Sequence, residues 1–525
     1  MGGADTVQPD LLVTGVCKVA AAKKYFYRNV NIYDGGSLEF EQPATGDPDI
    51  DFWASSIIVE ANGALTVGVK TPYGDPSPRL DKQGGFLTIH LYGKNDSVDD
   101  SGTPVDPAIK PGEGVLCRSP LTEDADKNKV PCGIPPEVWQ SNGSAALPGC
   151  GIDKTGSDCI PGLPTDAKDY FYNYGPLYGD GKCTNGKTFD GSTGEALCGE
   201  GIPAAGKVGY FGYKVLAVSY GGTLVLHGYK GAADGLDNNH LATGNSWMRL
   251  GGDVSSGTSL TVDGTPAERW WLPSDGTRDQ IVVTTTDYLP GHSELLTIGQ
   301  VQGNDVTFTP AIKWFHSGKR YKINLGVAKG RLEAAGIDKN LVKDGAETRA
   351  AVALLTRSIR IVSEGDGIVE KPNPHVETYK EASDRTLCPD GQTKGCYYFG
   401  GHTIFRQGFK KVQIQGVEFV NLGQGGKLAH YPVHFHMARQ VPPGTIVEDS
   451  AVNESNTRWY VVHDTQGVTF QRDVGWKSIG HGYYLENGTE ADNNFYSDIG
   501  IFARAAIDND QNPQKIPGIL ADNQG

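Results

Sequence analysis

The residues best suited to chemistry lie between Tyr431 and Glu486. In Tyr431-Pro432-Val433-His434-Phe435-His436 two imidazoles stand two positions apart. In an extended strand that spacing sends His434 and His436 to one face and Val433 and Phe435 to the other. Two later segments end comparably, Tyr460-Val461-Val462-His463 and Gly482-Tyr483-Tyr484-Leu485-Glu486. Stacked as rungs of a parallel coil, about 4.8 Å apart, they put His463 under His436 and Glu486 under His463, with His434 alongside. As a metal set, His434, His436, His463 and Glu486 suit zinc, manganese or iron better than calcium, which prefers oxygen ligands. As an acid/base set, Glu486 beside His463 protonates a glycosidic oxygen, while Asp464 or His434 activates water or removes a proton from a sugar carbon. Hydrolysis and β-elimination both stay open, and a histidine ladder that only stabilises the stack competes with either.

Around this column, Tyr431, Trp459 and Tyr484 are expected to meet a sugar ring, and Arg439 to clamp the carboxylate of an acidic sugar. Alternation turns half of the nearby aromatic residues inward. Trp247, Trp270 and Trp271 read as core or domain-contact residues. His402 and His481 each follow a glycine and read as turn histidines without a chemical role.

Positioning such a column requires short strands at a regular interval, and the chain supplies them. Seventy-one of its 525 residues are glycine, and they punctuate short apolar runs. The runs have a period near two, as in Gly63-Ala64-Leu65-Thr66-Val67, Gly85 to Gly93 and Gly221 to Gly228. In the tail, equivalent strands return about every 23 to 27 residues with no helical period between them, a solenoid spacing. The expected fold is therefore all-β, a right-handed parallel β-helix, with a β-sandwich or propeller as the alternative. From about 96 to 205 the apolar pattern fades into Pro, Gly, Asp and six of the nine cysteines, which reads as a stapled insertion. The cysteines fall into close neighbours, Cys117 with Cys132, Cys150 with Cys159, Cys183 with Cys198 and Cys388 with Cys396, leaving Cys17 over. With no CxxC among them, local disulfides in an oxidising compartment are expected rather than a zinc ribbon.

The net charge of −15 speaks against a nucleic-acid partner, which needs a basic footprint. A polyanionic glycan remains compatible through a local Arg/Lys cluster or a bridging cation. Sequons begin at Asn95, Asn142, Asn453 and Asn487. No apolar run reaches the length of a membrane span. Residues 1–20 are expected to be the remnant of a removed leader, and the natural chain is expected to continue beyond Gly525.

Several motifs in one order carry a family resemblance. Phe399-Gly400-Gly401-His402, then Tyr431-Pro432-Val433-His434-Phe435-His436, resemble signatures of the CEMIP family of hyaluronan-binding proteins and cell-surface hyaluronidases. The stretch Arg349 to Ile359, the segment Val462-His463-Asp464-Thr465-Gln466-Gly467, and Gly480 to Gly488 are similar to further pieces of it. Residues 21–290 resemble that family's eight-glycine β domain, split by the cysteine-rich insertion, with the β-helix over 291–525. Departures include Ala351 where the family has an acidic residue, and Gly482 where it has cysteine. The resemblance implies a secreted or cell-surface glycoprotein that binds hyaluronan or a related acidic glycan and depolymerises it, with calcium dependence and no organic cofactor. A non-catalytic carbohydrate-binding or adhesion module and a uronic-acid lyase are the alternatives.

Overall fold

A computed structural model describes residues 11–20, 23–33, 35–41, 49–60, 62–68, 86–92, 214–218, 221–233, 245–270, 279–322, 324–338, 345–363, 400–406, 408–424, 429–486, 488 and 490–504. Its frame is a coil in which three short strands make one turn. Val433–Gln440, Ile446–Glu448 and Ala451–Asn453 form one such turn; Tyr460–Gln466, Thr469–Gln471 and Val474–Ile479 form the next; Tyr483–Leu485, Asn494–Tyr496 and Ile499–Arg504 follow. Every strand pairs in parallel with its counterpart one turn away. The coil thus has three faces, called first, second and third here in the order the chain visits them. All-β, mostly parallel ladders of this kind are the pairing pattern of a β-helix.

The same ladders continue into the N-terminal glycine-rich strands. Phe40, Val67, Leu226, Ile414, Val447, Phe470 and Phe495 stand in one unbroken register column on the second face. Most of that column is buried in one apolar core, where each such side chain contributes about 1.5–3 kcal/mol. The long strand Ile50–Val59 spans a corner. Its first half pairs with Leu87–Leu91 on the third face and its second half with Val215–Val218 on the first.

Corners explain part of the glycine content. Between the second and third faces the chain reverses through a left-handed residue on each turn: Gly416, Asp449, Arg472 and Ser497, with φ of 66°, 50°, 57° and 55°. Glycine adopts this backbone freely, whereas the other three need compensation. At two of them it comes from one ion pair, Arg472 Nε donating to Asp449 Oδ1 at 2.6 Å, with both side chains buried.

A six-stranded antiparallel sheet with its own core interrupts the coil between His227 and Ile359. Trp247–Arg249, Ala351–Leu354, Gln280–Val283, Glu294–Gln302, Asp305–Thr309 and Ser259–Thr261 lie side by side in that order. Residue 290, where a change of domain was expected, lies between two paired strands of this sheet. An all-β chain was expected, yet Leu325–Ala334 is helical, started by Asn324, whose Oδ1 accepts from the Val327 N–H. Its residues carry no buried apolar stripe, so no helical period stood out. Buried Arg357 ties sheet to coil, donating to the Leu354 carbonyl, Ser246 Oγ and the Asp449 carbonyl.

Cys17 is unpaired and partly buried, while the other eight cysteines and the expected insertion lie outside the described residues. Asn95, Asn142 and Asn487 lie outside them as well. The Asn453 sequon is buried, its side-chain amide donating to Glu418 Oε1 at 2.8 Å, so it is closed to glycosylation in the folded chain.

Candidate metal centre

Alternation along the first face sends Val433, Phe435, Tyr460 and Val462 into the core and His434, His436, Val461 and His463 outward. Parallel pairing then stacks the outward residues. Arg406 is in register with His436, and His436 with His463. Val462 pairs with Leu485, and the Glu486 N–H donates to the Val462 carbonyl, which brings Glu486 beside His463. The column is Arg406, His436, His463, Glu486.

Distances make the column a cluster. The two imidazoles approach Nδ1 to Nδ1 at 3.2 Å, so one nitrogen donates and the other accepts. Glu486 Oε2 lies 3.7 Å from His463 Nδ1. One potential ligand atom from each of His434, His436 and His463 falls within 4.8 Å of the others.

His434 is the most constrained of the three. Its Nδ1 sits 3.1 Å from the Ala429 carbonyl, which can only accept, so Nδ1 carries the proton and Nε2 a lone pair. That Nε2 is buried and has no hydrogen-bond partner among the described residues. A buried unpaired polar atom costs about 1–3 kcal/mol, and a bound cation would remove the cost. An imidazole held by a backbone carbonyl at one nitrogen and bare at the other is also how metal-ligating histidines are oriented. Burial, reinforced by the His463 imidazole, holds His434 well below the usual histidine range. Burial, reinforced by His434, does the same for His436. Both are therefore neutral near pH 7, the form that binds metal.

The donor set fits zinc, manganese or iron. Calcium, expected from the resemblance, prefers oxygen ligands to three imidazole nitrogens.

A column that meets a sugar would have to face solvent. Instead it is outward from the core but largely covered: His434 is fully buried and His436 nearly so, whereas the His463 and Glu486 side chains keep 16% and 14% of their surface. Access is therefore from the His463–Glu486 end. Tyr431 forms part of the cover and is itself buried, edge-on to His434 at 4.8 Å. Trp459 is a core residue and not a sugar platform, because Gly475, Gly482 and Gly500 leave the space that its ring fills. Tyr484 remains partly exposed, stacked on His481 at 4.7 Å and covered by the Arg458 guanidinium at 3.9 Å.

Asp464 adopts a left-handed φ of 43° at a bulge, where one residue opposes two of Val433–Gln440, and its N–H donates to Glu490 Oε1. The side chain of Arg439 lies outside the described residues; its backbone pairs with Thr465. His402 was expected at a surface turn but begins a strand and is buried against His430. Trp247 and Trp270 are core residues as expected, and Trp271 lies outside the described residues. Arg406 and Arg458 were missed. The first was legible, since Ile404-Phe405-Arg406 alternates in step with His434-Phe435-His436 one turn on.

Fold and cluster together define an all-β coil of mostly parallel strands bearing outward imidazoles on its first face. Residues 398–524 match a family model described as the CEMIP beta-helix, and similar proteins agree. A G8 domain-containing protein of Dictyostelium discoideum is 29% identical over 56% of this chain and 15% of its own length. Communication mutant protein F of the same organism is 27% identical over 56% of this chain and 20% of its own. Human cell surface hyaluronidase CEMIP2 is 28% identical over 45% of this chain and 14% of its own. The chain is thus similar to CEMIP-like proteins. It spans less than a quarter of the length of these relatives. Among the described residues no helix is long and apolar enough to cross a membrane.

Proposed function

We propose that this chain is a secreted or cell-surface protein that binds an acidic polysaccharide at the His463–Glu486 end of the column and depolymerises it with a transition-metal ion held by His434, His436 and His463. The observation that carries this reading is the buried Nε2 of His434, without a hydrogen-bond partner among the described residues, beside the His436 and His463 imidazoles. The likeness to a protein named a cell surface hyaluronidase supports a glycan as the substrate class.

Bound there, the cation would act as a Lewis acid toward a sugar oxygen or carboxylate. Glu486 is the proton carrier: partly exposed, it sits next to His463, which can share the proton in turn. Tyr484, whose ring already packs against His481 and the buried Arg458 guanidinium, keeps a partly exposed edge that a sugar could meet.

Size-defined hyaluronan, chondroitin and alginate, incubated with the protein with and without chelator, test the proposal. Chain shortening that chelator abolishes is expected, and ultraviolet absorbance at an unsaturated product separates elimination from hydrolysis. Binding without any shortening would overturn the enzymatic reading. The cover over His434 and His436 supports one alternative, a structural ion that staples adjacent turns of a binding module.

A further inference from the structure

The segment Lys313-Trp314-Phe315-His316-Ser317-Gly318-Lys319-Arg320-Tyr321-Lys322 is basic and aromatic within an acidic chain. It holds four basic residues and no acidic one, in a protein of net charge −15. It lies outside the imidazole cluster, leading out of the antiparallel sheet. Apart from buried His316 and half-buried Ser317 and Gly318, its residues are exposed, Trp314 at 43%, Phe315 at 55% and Tyr321 at 63%.

Exposed aromatic residues are ordinarily mobile, but Trp314 is held by ring and backbone and Tyr321 by its backbone. Both oxygens of the Glu294 carboxylate anchor the backbone, accepting from the Lys313 N–H at 2.8 Å and the Trp314 N–H at 3.0 Å, and Oε2 lies 2.8 Å from His316 Nε2. The Trp314 ring stacks on His292 at 3.7 Å and 15°, and His292 Nδ1 is fixed by Asp287 Oδ2 at 2.7 Å. The Tyr321 N–H donates to Thr348 Oγ1 at 2.9 Å. Backing of this kind leaves ring surface turned outward at little entropic cost on binding. Lys319 pairs with Asp253 and Arg320 with Glu347, both at the surface, where such pairs are weak and exchange readily with another anion.

We infer that Lys313, Trp314, Lys319, Arg320, Tyr321 and Lys322 form a second binding site, one that takes an anionic polysaccharide. A pyranose ring offers an apolar C–H face to a fixed aromatic ring, and its carboxylate or sulfate pairs with the adjacent cations. The negative charge of the rest of the chain opposes a long nucleic acid, which would extend past so short a basic strip. Such a site would retain the polymer while its reacting end occupies the column.

The test uses the full chain carrying His463→Ala, so that retention is read apart from cleavage and survives a failure of the metal proposal. Hyaluronan oligosaccharides as the carboxylated probe, heparin oligosaccharides as the sulfated one, neutral dextran and single-stranded DNA are each titrated calorimetrically. The site predicts salt-sensitive binding of at least one anionic glycan, weakened about tenfold or more by Trp314→Ala and by the Lys319→Ala/Arg320→Ala pair. The Lys319→Arg/Arg320→Lys pair, which keeps both charges, retains binding and controls for folding. Equal binding of dextran, stronger binding of DNA, or unchanged affinity in both loss variants would overturn the inference.

Discussion

At His434 one ring nitrogen is committed to a backbone carbonyl and the other is bare, and that asymmetry singles out this residue from an ordinary buried histidine. The two-residue spacing and the repeat length placed His436 over His463 and Glu486 beyond it, so the register of the column was legible from alternation and period alone. What was not legible was cover. Whether an outward side chain meets water depends on segments such as Ala429–Tyr431, whose path no local pattern records, and for the same reason Trp459 read as a platform when it fills a space left by three glycines. Glu486→Gln keeps the size of the side chain and removes its proton chemistry. Depolymerisation should fall by about 10²-fold or more with metal content unchanged; undiminished turnover in a rate assay would remove Glu486 from the chemistry.

Strands and their stacking order followed from periodicity two, whereas the antiparallel sheet and the Leu325–Ala334 helix did not, because short β runs look alike whether they pair in parallel or not. Packing between turns supplies the predictions at this scale. A methyl group at Gly482 meets the Trp459 ring, so Gly482→Ala should destabilise the coil by about 1–3 kcal/mol in denaturant titrations; a neutral result would mean that the ring is not packed there. Burial lowers the Arg357 guanidinium to about 10, yet its bonds join sheet to coil. Arg357→Ala should therefore cost about 3–5 kcal/mol, and separate melting of the two parts, read by calorimetry, is the expected signature.

The molecule as a whole has a pH dependence written into the corner between its second and third faces. Asp473 Oδ1 accepts from the Ser450 N–H and Asp498 Oδ1 from the Asp473 N–H, while the Oδ2 atoms of both are buried without partners. Burial, reinforced by Asp498, pushes Asp473 well above the usual carboxylate range, and burial raises Asp498 to about 8. Folded protein keeps protons that the unfolded chain releases near pH ~4. Stability is then fully present below that value and declines as pH rises toward about 8. Asp498→Asn should flatten the decline and raise the melting temperature at pH 7.5, by roughly 2–4 °C per kcal/mol of relieved strain; a profile unchanged from the parent would show the pair to be ionised already. Above all of these stands the metal. Elemental analysis of the purified full chain, alongside its His434→Ala and His463→Ala variants, should find a stoichiometric transition metal in the first and little in the others, with depolymerisation lost in step. A metal-free parent that cleaves glycan at full rate, or variants that keep both metal and activity, would contradict the account.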